Sequence, residues 1–245
     1  DSGATWEYTA RLPELNARLR TSIMVRRLKE DVLHSLPAKR YEIVPVETNG
    51  QIALALHAEK MLDFDEEEML RRSGGKIDGA VSTVRRQMGE AMAPAVLEHC
   101  RVIMDGGVEK LVVFAHHHSV LDVLQKGLNP YGCIRVDGNT SAKNKGIAVE
   151  QFKHDPRKRV FLGQGQSVGT GTDGLQEVAS HAVFAEASWV NGENEQQTDR
   201  LHRMGQKGSV LAQFMVAPGS MSERILGRSI AKGRNVYRVL DAQPV

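Results

Sequence analysis

The segment Glu195–Val210, EQQTDRLHRMGQKGSV, sets two arginines, a histidine and an aspartate within five residues. A helix over Glu195–Arg203 would set Gln196, Arg200 and Arg203 at steps of four and three, on one face. Two guanidinium groups stacked on one face repel unless a carboxylate or another anion answers them. An internal answer is Asp199, which could pair with Arg203 at i,i+4 in a solvated ion pair contributing about 0.3–0.5 kcal/mol. An external answer is phosphate, with two planar forks aimed at it and one able to act as an arginine finger in phosphoryl transfer. Helix physics alone favours neither.

The stretch GQGQSVGTGTDGLQ, Gly163–Gln176, is dense in glycine, which lets a backbone bend sharply and approach a ligand closely. Gly169, Gly171 and Gly174 match the dinucleotide fingerprint G-x-G-x-x-G. That motif must open a full crossover helix, yet only Leu175–His181 precede the apolar run beginning at Ala182. The gap allows at most about two helical turns, so a Rossmann reading fails on length. No G-x-x-x-x-G-K-[ST] phosphate cradle occurs in the chain. Taken alone, the loop could equally be a flexible turn.

Two smaller groups complete the candidates. His116-His117-His118 invites a metal reading, but consecutive strand residues alternate faces, so all three cannot address one ion without a bend. Asp137-Gly138-Asn139-Thr140-Ser141 falls between a strand pattern and a helix pattern. Thr140 or Ser141 can cap that helix, and a phosphate can sit at the same N-terminus; the two roles are compatible.

The elements that must position these groups are legible as pattern. KLVVFA, CIRVD, RVFLG, HAVFAE and SVLAQFMVA are short apolar runs, most of them separated by helical stretches such as SVLDVLQKGL and AKNKGIAVEQF. Strands apolar throughout and alternating with helices predict a parallel sheet covered on both faces, an α/β fold. Upstream, LNARLRTSIMVRRLKEDVLHSL reads as a basic helix ending at Pro37, and KRYEIVPVET as an extended strand. QIALALHAEKMLDFDEEEMLRR, the soft stretch SGGKIDGA and VSTVRRQMGEAMAPAVLEHCRVIMDGG read as a helical arm, the last as one or two helices. SMSERILGRSIAKGRNVYRVL reads as a closing helix.

Composition sets few limits. The 245 residues are 41% hydrophobic and 25% charged, with 32 basic against 30 acidic side chains, a balance that permits nucleic-acid binding without indicating it. Cys100 and Cys133 form no C-x-x-C and read as small buried apolar residues in a reducing compartment. No apolar run reaches the roughly 20 residues of a membrane helix, so no membrane partner is expected. The patches RRLK, DPRKR and KNK and the acidic run DFDEEE read as solvated faces.

QQTDRLHRMGQ resembles motif VI of the Swi/Snf-type ATPases in helicase superfamily two, Q-A-x-D-R-x-H-R-I-G-Q. SWVNGENEQ is similar to that family's W-N-P stretch, KLVVFAHHHSVLDVL to motif IV, and IRVDGNTS to its R-x-D-G-x-T/S segment. IMVRRLKEDVLHSLPAKR resembles the segment joining the two motor lobes, which lends Arg26 and Arg27 interest. GTGTDGLQ stands where motif V stands, G-x-G-[LI]-N-L, with Asp173 in place of Asn and Gly174 as an extra residue. The wording V-F-A-H-H and F-A-E is most similar to annealing helicases and their bacterial and phage relatives.

The resemblance implies a RecA-like second motor lobe of a DNA-dependent ATPase or translocase. It implies an inter-lobe linker over 1–50, a helical arm over 51–105, the lobe over 106–216 and a C-terminal helix over 217–245. Arg203, supported by Arg200, would be catalytic; Gln196, Gly171, Thr172 and Asp173 would meet the nucleotide. His116, Asn139, Thr140, Ser141, Lys143, Ser167, Val168 and Gly169 would meet nucleic acid. ATP and Mg would be bound mainly by a first lobe, whose Walker A and D-E-x-H motifs this sequence lacks. Double-stranded DNA and that first lobe are the expected partners. The chain alone is expected to be inactive, consistent with a fragment of a longer protein. The expected compartment is cytoplasmic for a bacterial or phage parent and nuclear for a eukaryotic one. The alternative is a binding or scaffold module without catalysis.

Overall fold

Each short apolar run of the sequence becomes a strand buried on both sides. A computed structural model describes residues 14, 18, 36–62, 79–165, 167–169 and 172–227. Its strands are β1 (Lys39–Pro45), β2 (Leu111–Ala115), β3 (Cys133–Val136), β4 (Val160–Gln164), β5 (His181–Phe184) and β6 (Val210–Val216). They form one all-parallel sheet in the order β1-β6-β5-β2-β4-β3. The helices are α1 (Gly50–Lys60), α2 (Gly79–Asp105), α3 (His118–Leu128), α4 (Ala142–His154) and α5 (Asn191–Thr198).

Strand alternation builds two cores from one sheet. Leu111, Val113 and Ala115 of β2 face a layer made by α1, α2 and α3, with Ile52, Met88, Val96, Leu121 and Leu124 among its buried residues. Val112 and Phe114 face the opposite layer, with Val149 and Phe152 of α4, Leu175 and Leu201. In that second layer Phe184 stacks on Phe214 with ring centroids 4.3 Å apart. The helices read from sequence as an arm therefore lie across one face of the sheet. α2 runs through Pro94 as a single helix. Asn49 starts α1 by accepting the N–H groups of Gln51 and Ile52, which are orphaned at a helix start.

The two ends of the sheet differ. At the N-terminal strand ends, Lys110 Nζ donates to the carbonyls of Phe152, Asp155 and Lys158. Arg159 donates to those of Met104, Val108 and Glu109. These cations answer carbonyls freed where α4 and α2 end. Arg159, read from sequence as part of a solvated basic face, is thus committed to the fold. At the C-terminal strand ends the loops after β2, β3, β4 and β5 gather instead, the position where open parallel sheets hold ligands.

The expected closing helix begins over 221–227, and its continuation lies outside the described residues. The basic stretch with Arg26 and Arg27, the run DFDEEE and the soft stretch SGGKIDGA up to Asp78 also lie outside them.

Candidate nucleotide and nucleic-acid interface

The segment after β2 carries the three histidines, and the His116 and His117 rings meet edge to face with centroids 4.8 Å apart. Glu186, just beyond β5, accepts the backbone N–H groups of His116 and His117 at 2.8 and 2.9 Å. Its other oxygen lies 2.6 Å from His117 Nδ1. His118 instead meets Arg135 Nη2 at 2.8 Å. Among the described residues no group of His, Cys, Asp and Glu is placed to hold a metal ion.

Glu186 is buried, and burial alone would raise its pKa. The hydrogen bond and charge of His117 and the two backbone N–H groups outweigh this and hold it below the usual carboxylate value. Gly89 of α2 makes room for it, since a Cβ there would collide with the Glu186 carboxyl. Arg85, one turn earlier on α2, is buried, donates to the Ala187 carbonyl at 2.9 Å and lies 4.8 Å over the Trp189 ring. Burial, then the charges of Arg85 and His117, lower the His116 pKa from 6.5 to about 4, so its imidazole is neutral at neutral pH.

The loop after β3 is tied to itself. Asp137 accepts the Asn139 N–H and the Thr140 hydroxyl, and Arg135 Nε donates to its other oxygen at 2.9 Å. Ser141, not Thr140, caps α4, accepting the Asn144 N–H. Lys143, in the first turn of α4, sits beside this loop. After β4, Ser167–Gly169 form a short 3-10 turn whose Ser167 carbonyl accepts from Lys145 Nζ at 2.6 Å. Val168 is buried in the second core, so only its backbone can meet a ligand.

Gly171 lies outside the described residues. Thr172 is buried, and its hydroxyl donates to the Val168 carbonyl, which makes it a brace for the loop. Gly174 has φ +111°, a conformation that favours glycine, and Leu175–Glu177 form a 3-10 turn leading to β5. Asp173 is exposed at the crest, and Arg203 Nη1 lies 3.1 Å from its Oδ1. That ion pair joins the two segments singled out by sequence.

The helix expected over Glu195–Arg203 ends at Thr198, so Gln196, Arg200 and Arg203 do not share one continuous helical face. The chain tightens there, with Arg200 N–H bonded to the Gln197 carbonyl and Leu201 N–H to that of Thr198. Tertiary contacts explain the stop. Leu201 drops fully into the second core, and His202 Nε2 donates to the Pro37 carbonyl at 2.8 Å. Gln206 closes the turn, donating to the carbonyls of Ala179 and Leu201 and accepting from the N–H groups of Lys207 and Gly208. Asp199 pairs with Lys39 at 2.9 Å rather than with Arg203. Gln196 is exposed, while its neighbour Gln197 is buried against Gly165.

Sequence reasoning overlooked Arg85, Gln164, Glu186 and Gln206 as parts of this surface. Arg85 stands in the helical stretch VSTVRRQMGEA and Gln164 in the glycine-dense stretch that follows RVFLG; neither carries a motif signal. Glu186 was visible only as an acid ending a strand, and Gln206 only as the last letter of a resemblance.

An all-parallel sheet of this order, covered by helices, defines a class, the RecA-like α/β lobe. The structural neighbours agree on the fold. The C-terminal part of the Fun30 ATPase domain superposes with a TM-score of 0.61 at 16% identity, covering 84% of this chain and 98% of that one. The Sulfolobus solfataricus SWI2/SNF2 ATPase core domain gives 0.58 at 19% identity, covering 92% of this chain and 49% of that one.

No family model matches the chain. Among curated relatives, the human DNA annealing helicase and endonuclease ZRANB3 is 32% identical over 217 residues, 86% of this chain and 20% of its own length. The SWI/SNF-related matrix-associated actin-dependent regulator of chromatin subfamily A-like protein 1 of Xenopus tropicalis is 34% identical over 230 residues, 89% of this chain and 23% of its own. The Caenorhabditis elegans homolog of the latter is 34% identical, over 83% of this chain and 30% of its own length. The chain thus spans between a fifth and a third of these relatives. Over most of its length it is similar to one part of these proteins, and it shares the fold of the C-terminal part of the Fun30 ATPase domain.

Proposed function

We propose that this chain is the second motor lobe of a DNA-dependent ATPase that translocates on double-stranded DNA, acting with a first lobe that holds most of ATP and Mg. The observation that carries the reading is the Arg203–Asp173 contact, which brings the arginine turn against the glycine loop. Both are the segments that resemble nucleotide-facing motifs, and the partnership is with an exposed carboxylate that a phosphate can replace. In this reading Arg203 neutralises charge developing on the γ-phosphate, with Arg200 in support. Gln196, Gly171 and Asp173 face the nucleotide from the second lobe, and Thr172 keeps their loop in shape. The bound Mg supplies charge neutralisation on the phosphates. ATP would draw the lobes together and move the loops at the C-terminal strand ends along the duplex.

Those loops suit a backbone-tracking surface. Asn139, Thr140 and Ser141 at the start of α4, Lys143, Ser167–Gly169 and the neutral His116 offer N–H groups, hydroxyls and a cation, the chemistry of phosphate contacts without base readout. Duplex DNA sets the compartment, the cytoplasm of a bacterial or phage-infected cell or a eukaryotic nucleus. The experiment is reconstitution. The 245-residue chain alone should show no ATP turnover, and adding a first lobe of this family should restore DNA-stimulated hydrolysis. Robust turnover by the chain alone would overturn the reading. A mixture without turnover that still binds duplex DNA would favour a binding module.

A further inference from the structure

We propose that Gln164 is the positioning residue that sets the three DNA-facing loops at one level, so that they meet a single phosphodiester strand together. The inference rests on the DNA-motor reading above and adds a residue that reading does not use. Gln164 Oε1 accepts the Gly138 N–H at 2.9 Å and the Ser167 hydroxyl at 3.2 Å, and its Nε2 donates to the His116 carbonyl at 3.0 Å. One side chain therefore bonds the loops after β2, β3 and β4. The amide orientation is fixed by its partners, because an N–H can only donate and a carbonyl can only accept.

Topology explains why the residue stands at this position. β4 lies between β2 and β3 in the sheet, with Gln164 in register with Ala115, the last residue of β2. Gly163, one residue earlier, is in register with Val136, the last of β3. Only the end of the middle strand can reach the loops on both sides. The chemistry is equally restrictive. The position needs one acceptor and one donor on a single planar group; a glutamate accepts but cannot donate, and an asparagine is one methylene shorter. Two of the loops are also braced individually, the loop after β2 by Glu186 at the His116 and His117 N–H groups and the loop after β4 by Lys145 at the Ser167 carbonyl. What these braces leave open is the level of each loop relative to the others, which the Gln164 amide sets.

The test is duplex binding by the full chain, measured on two unrelated sequences at two salt concentrations, with amide exchange read at Gly138. Gln164→Met keeps the shape and removes all three bonds. The variant should bind roughly tenfold more weakly on both sequences. Its log K against log[salt] slope should flatten by about one, the loss of a phosphate contact. Gly138 should exchange faster while β2 and β4 keep their protection. A merely structural role would lower the melting temperature and leave the slope unchanged. If Gln164→Met does not fold, Gln164→Glu carries the test. It retains both accepted bonds, loses the donated one, and should loosen the loop after β2 and weaken binding. Wild-type binding with an unchanged slope in the folded variant would overturn this inference alone. Failure of the wild-type chain to bind duplex would overturn the DNA reading and this inference with it.

Discussion

The loops at the C-terminal strand ends and the arginine turn between α5 and β6 are held by different physics. The loops are pinned by buried or half-buried polar groups, Glu186 with a side chain 5% exposed and His117 with one 14% exposed. The turn is pinned at its base by Leu201, His202 and Gln206, but Arg203 itself ends in a pair with its side chain 40% exposed and Asp173 70% exposed. A buried carboxylate that accepts three bonds cannot give one up without a large cost. An exposed ion pair exchanges readily for another anion. The surface proposed for DNA is therefore built to persist, and the group proposed for the γ-phosphate is built to change partner.

The largest expected effect separates function from stability at the turn. In the reconstituted motor, Arg203→Ala should lower kcat by roughly 10³–10⁵, the range of an arginine finger, with little change in melting temperature or DNA affinity. Arg203→Lys should rescue poorly, because an ammonium does not reproduce the planar fork. A kcat close to wild type in Arg203→Ala would break the comparison and put the binding-module reading ahead.

The loops should respond the other way, in stability. Glu186→Ala leaves the His116 and His117 N–H groups unanswered at the C-terminal end of β2 and removes the carboxylate that faces Arg85, and should cost about 3–5 kcal/mol in denaturant unfolding. A cost under about 1 kcal/mol would show that the loop after β2 is held by something else. Acid should act on the same cluster. Because the His116 pKa is lowered from 6.5 to about 4, the unfolded chain takes up a proton in that interval and the native chain does not. The contribution is present above pH 6.5 and lost as pH falls toward 4, with Glu186, also held low, adding loss in the same direction as it protonates. Unfolding free energy followed across that interval should fall in wild type and fall less in His116→Gln.

The smallest effect is expected at the exposed partner. Asp173→Asn should change stability by under about 1 kcal/mol, since the pair is solvated. ATP affinity of the reconstituted motor should shift measurably, because Asp173 competes with phosphate for Arg203 and faces the nucleotide. A large drop in melting temperature with unchanged ATP affinity would make the contact architectural and erase the contrast between the two regions.

Much of this was written locally. The strands β2 to β6 fall on the apolar runs because a strand covered on both faces must be apolar along its length, and the helices between them force parallel pairing. Capping at Ser141 follows from a hydroxyl before a helical run, and the short gap after Gly174 excluded a dinucleotide crossover. Pairings across the chain were not written there. Asp199 and Arg203 are spaced as an i,i+4 pair, yet the helix stops at Thr198 because burying Leu201 and bonding His202 to Pro37 outweigh another helical turn. Only then does Asp199 meet Lys39 and Arg203 meet Asp173. Gln164 and Arg85 carry no local signal, since the partners of Gln164 lie in the loops after three strands and Arg85 bonds Ala187, 102 residues further along the chain. Periodicity and capping act over a few residues and can be read from order alone. The partners of a polar side chain are chosen by which strand ends lie side by side, and the folded sheet decides that.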